Sequence, residues 1–259
     1  MRLFLTSNAA FRGSDVIAGQ APLIEYNNPM QLLVTLMVAC SLVSAAPVVV
    51  ALGDSVTKGV RRDGSVLADQ TFVALLEREL RKTYPDARVI NSGIGGNTSS
   101  QMLARLDEDV LSHHPQVTLV MTVLNDAEYI DPGPVPRDTP RVALNVFADE
   151  LRQIIRRVRD AGGQVLLLTP NPMTGKHPYA SQGYYKEHDV NSALDSYAAS
   201  IRSVALETHT DLVDVYAAWI HIPGYERFLP DGVHPNPEGH RRIAELILPR
   251  LLKITQAPR

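Results

Sequence analysis

The chain of 259 residues carries one cysteine, Cys40. No intrachain disulfide is therefore possible, and no zinc site of the cysteine type. Aromatic residues make up only 6%, which suits an aliphatic α/β core better than a β-sandwich. Neither sign of charge dominates: 25 Lys and Arg face 28 Asp and Glu, for a formal net charge of -3. That leaves no basic footprint for nucleic acid and no polybasic patch for anionic lipid. There is no internal repeat and no low-complexity tract. What is present is ordinary for a globular protein: 45% hydrophobic and 20% charged residues, with 16 Gly and 18 Pro. Disorder, collagen and coiled coil are excluded, and the length allows one large domain or two small ones.

Residues 1–30 show no sustained period and are punctuated by Gly13, Gly19, Pro22, Asn27, Asn28 and Pro29. From Gln31 to Leu52 there is no charge. About 20 apolar residues suffice for a membrane span, but Pro47 divides this run and Val48–Leu52 is needed as a core strand. Leu32–Leu42 is then the size of a signal peptide, and Val43-Ser44-Ala45 resembles a small-residue cleavage site. Against that, Arg2 and Arg12 are distant from the run, and a start at Met30 leaves almost no basic leader. An export signal, a membrane anchor and a retained extension all remain open; export is the expectation, with no stable membrane partner. Cys40 reads as an apolar filler. The expected organisation is an extension over 1–46 and one domain over 47–259.

From Pro47 onward strand-like and helix-like segments alternate. Strands are expected at Val48–Leu52, Ala87–Ile90, Val117–Val123, Gln164–Thr169 and Leu212–Val215. Helical spacing predicts helices from Phe72 to Tyr84, Ser99 to Leu111, Val142 to Val158 and Val190 to Leu206. Gly162-Gly163 ends the third of these as a left-handed cap does. Asn236-Pro237-Glu238 supplies cap, first turn and dipole-compatible acid for a last helix ending near Lys253. Continuous apolar strands with crossover helices imply a five-stranded parallel sheet covered on both faces, an α/β fold. Ligands sit at the carboxyl ends of such strands. Two long irregular stretches, Ala127–Pro140 and Pro170–Lys186, are expected to line the pocket mouth. They carry Glu128, Tyr129, Arg137, Lys176, His177, Tyr179, Tyr184, Tyr185 and Lys186.

Four polar clusters follow strands. Gly53-Asp54-Ser55 presents a serine at a strand-to-helix turn, where its N–H and the helix start can face an anion; alone it reads equally as a helix cap. The Gly-x-Ser-x-Gly elbow is absent, since Thr57 takes the last position. Asn91-Ser92-Gly93-Ile94-Gly95-Gly96-Asn97-Thr98 fits neither the P-loop nor the dinucleotide fingerprint. It is either a plain turn or a loop whose N–H groups approach a ligand. Leu124-Asn125-Asp126 favours a turn, yet an Asn amide there can donate to a developing oxyanion. Asp231-Gly232-Val233-His234-Pro235 offers a general base, with an acid three residues earlier to fix its tautomer. His113, His114, His177, His188 and His240 have no assigned role. A metal reading of His234 with His240 lacks a third ligand.

In this order the four clusters resemble the SGNH (GDSL-type) hydrolase family, over about residues 47–254. The resemblance implies a three-layer αβα fold of flavodoxin-like type and hydrolysis of esters or thioesters. It makes Ser55 the nucleophile, His234 the base and Asp231 its orienting partner. Ser55 N–H, Gly96 N–H and the Asn125 side chain become the oxyanion donors. No metal or organic cofactor is needed. Two places depart from the family pattern: Val56 stands for Leu after the serine, a packing change, and Val123 stands for the Gly of Gly-x-Asn-Asp. A glycine there allows close approach, so a β-branched residue is expected to narrow the site. The polar, aromatic loops suit a short acyl group, acetyl first, on a small or carbohydrate alcohol. The alternatives are an acyl-thioesterase or lysophospholipase, and a non-catalytic binding domain of the same fold.

Overall fold

The computed structural model describes residues 46–131 and 135–256; the N-terminal extension and Cys40 lie outside the described residues. The strands are β1 (Val48–Gly53), β2 (Arg88–Gly93), β3 (Val117–Met121), β4 (Ile130–Asp131), β5 (Val135–Pro136), β6 (Gln164–Leu168) and β7 (Asp211–Val213). Five of them form one parallel sheet in the order β2-β1-β3-β6-β7, while β4 and β5 pair antiparallel as a small separate ladder. Every residue of β3 is buried, as are all but the first of β1, which is why both read as unbroken apolar runs. In register, Gly53 lies opposite both Gly93 and Met121, so three strand ends and their loops share one edge.

The helices are α1 (Ser55–Lys58), α2 (Phe72–Leu80), α3 (Ser99–Ala104), α4 (Leu106–Asp109), α5 (Leu144–Asp160), α6 (Ser192–Glu207), α7 (Val215–Ile220) and α8 (Pro237–Gln256). α2 packs with α8, and α5 packs with α3 and α6, giving the layers on either side of the sheet. α5 buries Phe147, Leu151, Ile154, Ile155 and Val158 along one stripe. At roughly 2 kcal/mol per fully buried large side chain, that stripe outweighs any propensity difference along the helix. Beyond the C-cap of α5, Gly162 takes φ 84°, the left-handed conformation expected there.

Several elements differ in their bounds from the sequence reading, and for two of them the structure shows why. The last strand stops at Val213, because Asp214 accepts a hydrogen bond from Ala217 N–H (3.0 Å) and so opens α7. The helix expected over Ser99–Leu111 breaks at Arg105 into α3 and α4. Its guanidinium donates to Gly53 O (2.9 Å) and Asn97 Oδ1 (2.8 Å) and pairs with Asp109 (2.6 Å).

Candidate active site

The turn after β1 is built by contacts that exclude side chains. A Cβ on Gly53 would fall 2.0 Å from Thr57 Oγ1, and one on Gly93 would fall 2.2 Å from the backbone nitrogen of Lys58. Glycine at both strand ends lets α1 settle directly onto β1 and β2. Asp54 is buried and caps α1, accepting from Val56 N–H (2.9 Å). Burial pushes its carboxyl up to about 6, against that hydrogen bond and the nearby His234. Ser55 therefore begins a helix, half-buried, at the edge where β1, β2 and β3 end.

Beside it the chain turns through Ile94-Gly95-Gly96-Asn97, closed by Asn97 N–H to Ile94 O (3.2 Å). Gly96 takes φ 78°, the positive value a type II turn needs at its third residue. A Cβ there would meet nothing within 4 Å, so the glycine answers to conformation and not to space. Among the described residues no protein acceptor takes the N–H of Ser55 or of Gly96. Asn125 follows β3. Its Nδ2 donates to Asn97 O (3.0 Å) and approaches Asp54 Oδ2 (3.5 Å), so the Asn125 turn, the glycine turn and the serine turn meet. Asp126, fully buried, holds them there. It accepts from Ser99 N–H (2.7 Å), Ser99 Oγ (2.6 Å), Thr122 Oγ1 (2.7 Å) and Val123 N–H (3.1 Å). Burial nonetheless keeps its carboxyl above the usual range.

Val123 corrects an expectation. Its side chain is wholly buried in the core and does not narrow the site. What the missing glycine costs is backbone strain, since Val123 is held at φ 119°.

Asp231 and His234 come from the loop before α8. His234 Nε2 lies 3.0 Å from Ser55 Oγ, and His234 Nδ1 lies 2.8 Å from Asp231 Oδ2. Asp231 Oδ1 accepts from Val233 N–H (3.0 Å) and His234 N–H (2.8 Å). Burial would raise this carboxyl, but the imidazole and the two N–H groups together hold it well below the usual carboxylate range. An ionised carboxylate only accepts. The ring proton therefore sits on Nδ1, and Nε2 is left to accept from the Ser55 hydroxyl.

A cavity of about 520 Å³ opens beside this pair, lined by Arg61, Arg62, Asp63 and the Pro230–Pro237 segment. The second long loop borders the histidine turn, since Thr174 N–H donates to Gly232 O (2.9 Å) and a Cβ on Gly232 would fall 2.2 Å from the His177 backbone nitrogen. Tyr129 stacks on Tyr184 (3.9 Å between centroids), Tyr184 stacks on His188 (3.9 Å), and Tyr185 is buried, so the rings cover one another. His177 is pushed down to about 4 by burial. His240, also pushed down to about 4 by burial, accepts from Phe72 N–H (3.2 Å) and ties α8 to α2. Arg105 and Arg141 escaped the sequence reading as parts of this region, while Asp54 and Asp126 stood inside two of its clusters without a role of their own. Their local signals were a helix-cap position for Asp54 and a turn for Asp126.

Residues 51–242 match the GDSL-like Lipase/Acylhydrolase family. The chain is similar to an acetylxylan esterase of Geobacillus stearothermophilus, 28% identical over 207 residues that cover 76% of this chain and 90% of that protein. It is similar to the thioesterase 1/protease 1/lysophospholipase L1 of Escherichia coli K12, 27% identical over 80% of this chain and 85% of the relative. A lipase/acylhydrolase from Enterococcus faecalis shares the fold with a TM-score of 0.63 at 22% identity, covering 79% of this chain and 95% of that one.

Proposed function

The chain belongs to the GDSL-like Lipase/Acylhydrolase family of serine ester hydrolases, and on that premise we propose that it cleaves short-acyl carboxylic esters through an acyl-enzyme. The observation that carries this reading is the unbroken chain from Ser55 Oγ to His234 Nε2 (3.0 Å) and from His234 Nδ1 to Asp231 (2.8 Å). His234 takes the Ser55 proton as Oγ attacks the ester carbonyl. Asp231 holds the ring in the required tautomer and stabilises the imidazolium. The negative charge on the carbonyl oxygen is met by Ser55 N–H, Gly96 N–H and Asn125 Nδ2. His234 then protonates the departing alcohol, and water, activated by the same ring, releases the acid.

The leaving group lies on the histidine side, because that ring protonates it. The cavity there sets Arg61, Arg62 and Asp63 against the rings of Pro230, Pro235 and Pro237, so charged groups and apolar surface share its lining. The charged side chains can bond the hydroxyl groups of the alcohol while the proline rings cover its apolar faces, with an acetylated carbohydrate as the favoured class. The acetylxylan esterase relative points the same way. The catalytic unit is residues 47–259, and residues 1–46 are an export extension. A fluorophosphonate probe should label the wild type and fail on Ser55→Ala, with Ser55→Ala and His234→Ala both folded and nearly inactive. A p-nitrophenyl ester series from acetate to palmitate should give its highest kcat/KM at the short end. A steady climb beyond octanoate would replace this reading with a lipase or thioesterase one.

A further inference from the structure

Arg141 belongs to none of the four clusters, yet it reaches two of them. Its backbone is held from both sides. Arg141 N–H donates to Glu128 O (3.0 Å), Val142 N–H donates to Asp126 O (3.1 Å), and the Tyr197 hydroxyl donates to Val142 O. The side chain is only 14% exposed and points back toward the serine edge of the sheet. Nη1 donates to Asn125 Oδ1 (3.5 Å), and Nη2 donates to Gly96 O (3.3 Å). Glu128 Oε2, 3.5 Å from Nη1, keeps the guanidinium from swinging away.

These contacts bear on a choice the Asn125 amide must make. A carboxamide flipped by 180° presents an acceptor where it had presented donors. A guanidinium has donors only. Placed against Asn125, it selects the orientation with Oδ1 toward itself and Nδ2 toward Asn97 O and the serine turn. The second arm of the fork fixes the carbonyl of Gly96, and with it the Gly96–Asn97 peptide plane whose N–H closes the turn. One planar fork spans both acceptors, which the point charge of an ammonium does less well.

We propose that Arg141 is a positioning residue of the oxyanion hole, locking the Asn125 amide and the Gly96 turn in their donating orientation. This rests on Asn125 and Gly96 acting as oxyanion donors. Arg141 itself need not touch the reacting atoms.

The test is a double-mutant cycle on p-nitrophenyl acetate, with kcat and KM measured separately and folding checked by circular dichroism. Asn125→Ala alone should lower kcat by roughly 10²–10³ with little change in KM. Arg141→Met should lower kcat about tenfold, with KM within about twofold, because a loosened donor keeps part of its effect. In the Asn125→Ala background the same change should cost less than about twofold, because the two side chains act as one unit. Arg141→Lys, which keeps the charge and loses the fork, should stay close to Arg141→Met; it also carries the cycle if the Met variant does not fold. Equal losses in both backgrounds, or full activity in Arg141→Lys, would overturn the proposal. An Asn125→Ala enzyme with unchanged kcat would first remove the oxyanion reading, and this proposal with it. The single variant reads that outcome separately from the cycle.

Discussion

Val123 sits at φ 119°, where an L side chain crowds its own backbone. Residues in such regions cost about 1–3 kcal/mol and persist where their surroundings over-determine them. Here Asp126 accepts the Val123 N–H (3.1 Å), and Ala127 N–H donates to Val123 O (2.8 Å), so the turn that presents Asn125 imposes the conformation. At an ordinary buried position glycine is worse than alanine by roughly 0.5–1 kcal/mol. At position 123 both substitutions lose the two buried γ-methyl groups and glycine loses the β-carbon as well, but only glycine relieves the strain. Val123→Gly should therefore unfold at a higher temperature or urea concentration than Val123→Ala, by about 1 kcal/mol. An alanine variant that is the more stable of the two would show that the backbone here is not strained.

Among the elements, α1 depends most on its neighbours. It has four residues, too few to persist alone. It is held by its Asp54 cap and by lying against the end of β2, where Gly93 admits it. A Cβ at position 93 would also come within 2.8 Å of Lys58 Cα, so it meets backbone that yields only if α1 moves. Gly93→Ala should then lower kcat/KM by at least about tenfold, since a 1 Å misplacement can cost 10²-fold, with stability falling by about 1–3 kcal/mol. A folded Gly93→Ala enzyme with full kcat/KM would show that β2 does not set the serine turn. The same dependence marks what could be read in the sequence. β1 and β3 announced themselves as apolar runs because both faces are buried. β2 did so only in part, because its second half, Asn91-Ser92-Gly93, is polar at the sheet edge. Ser55, Gly96, Asn125, Asp231 and His234 were legible because each stands in a local motif directly after a strand or before a helix. Arg105 and Arg141 were not, because their importance lies in partners up to 52 residues away that only the fold brings together. α7 was missed for a related reason, since Asp214 reads as a strand residue until its capping bond is seen.

Across the whole molecule, the buried titratable groups set opposing demands on pH. Asp54, raised to about 6 by burial, binds its proton more tightly folded than unfolded. Its contribution is present at low pH and is lost as pH rises from about 4 to 6. Burial of the neutral rings of His177 and His240, each pushed down to about 4, acts in the other direction. The unfolded chain takes up those protons below about 6.5, so their contribution is present at neutral pH and is lost as pH falls toward 4. At 1.36 kcal/mol per unit, each histidine is worth about 3 kcal/mol over this window and Asp54 about the same. Two histidines are thus set against the two raised aspartates, Asp54 and Asp126. Asp126, also raised by burial, acts in the same direction as Asp54, while Asp231, held low by His234 and two N–H groups, adds a loss below the usual carboxylate range. The variants separate the terms. Asp54→Asn keeps a side-chain oxygen for the Val56 N–H and removes one component that falls with pH, so its stability should climb more steeply than that of the wild type. His240→Gln keeps an acceptor for Phe72 N–H and removes one rising component, so its slope should be shallower. Urea unfolding at half-unit intervals of pH reads all three curves, and an Asp54→Asn curve parallel to the wild type would show that this carboxyl titrates alike in the folded and unfolded chains.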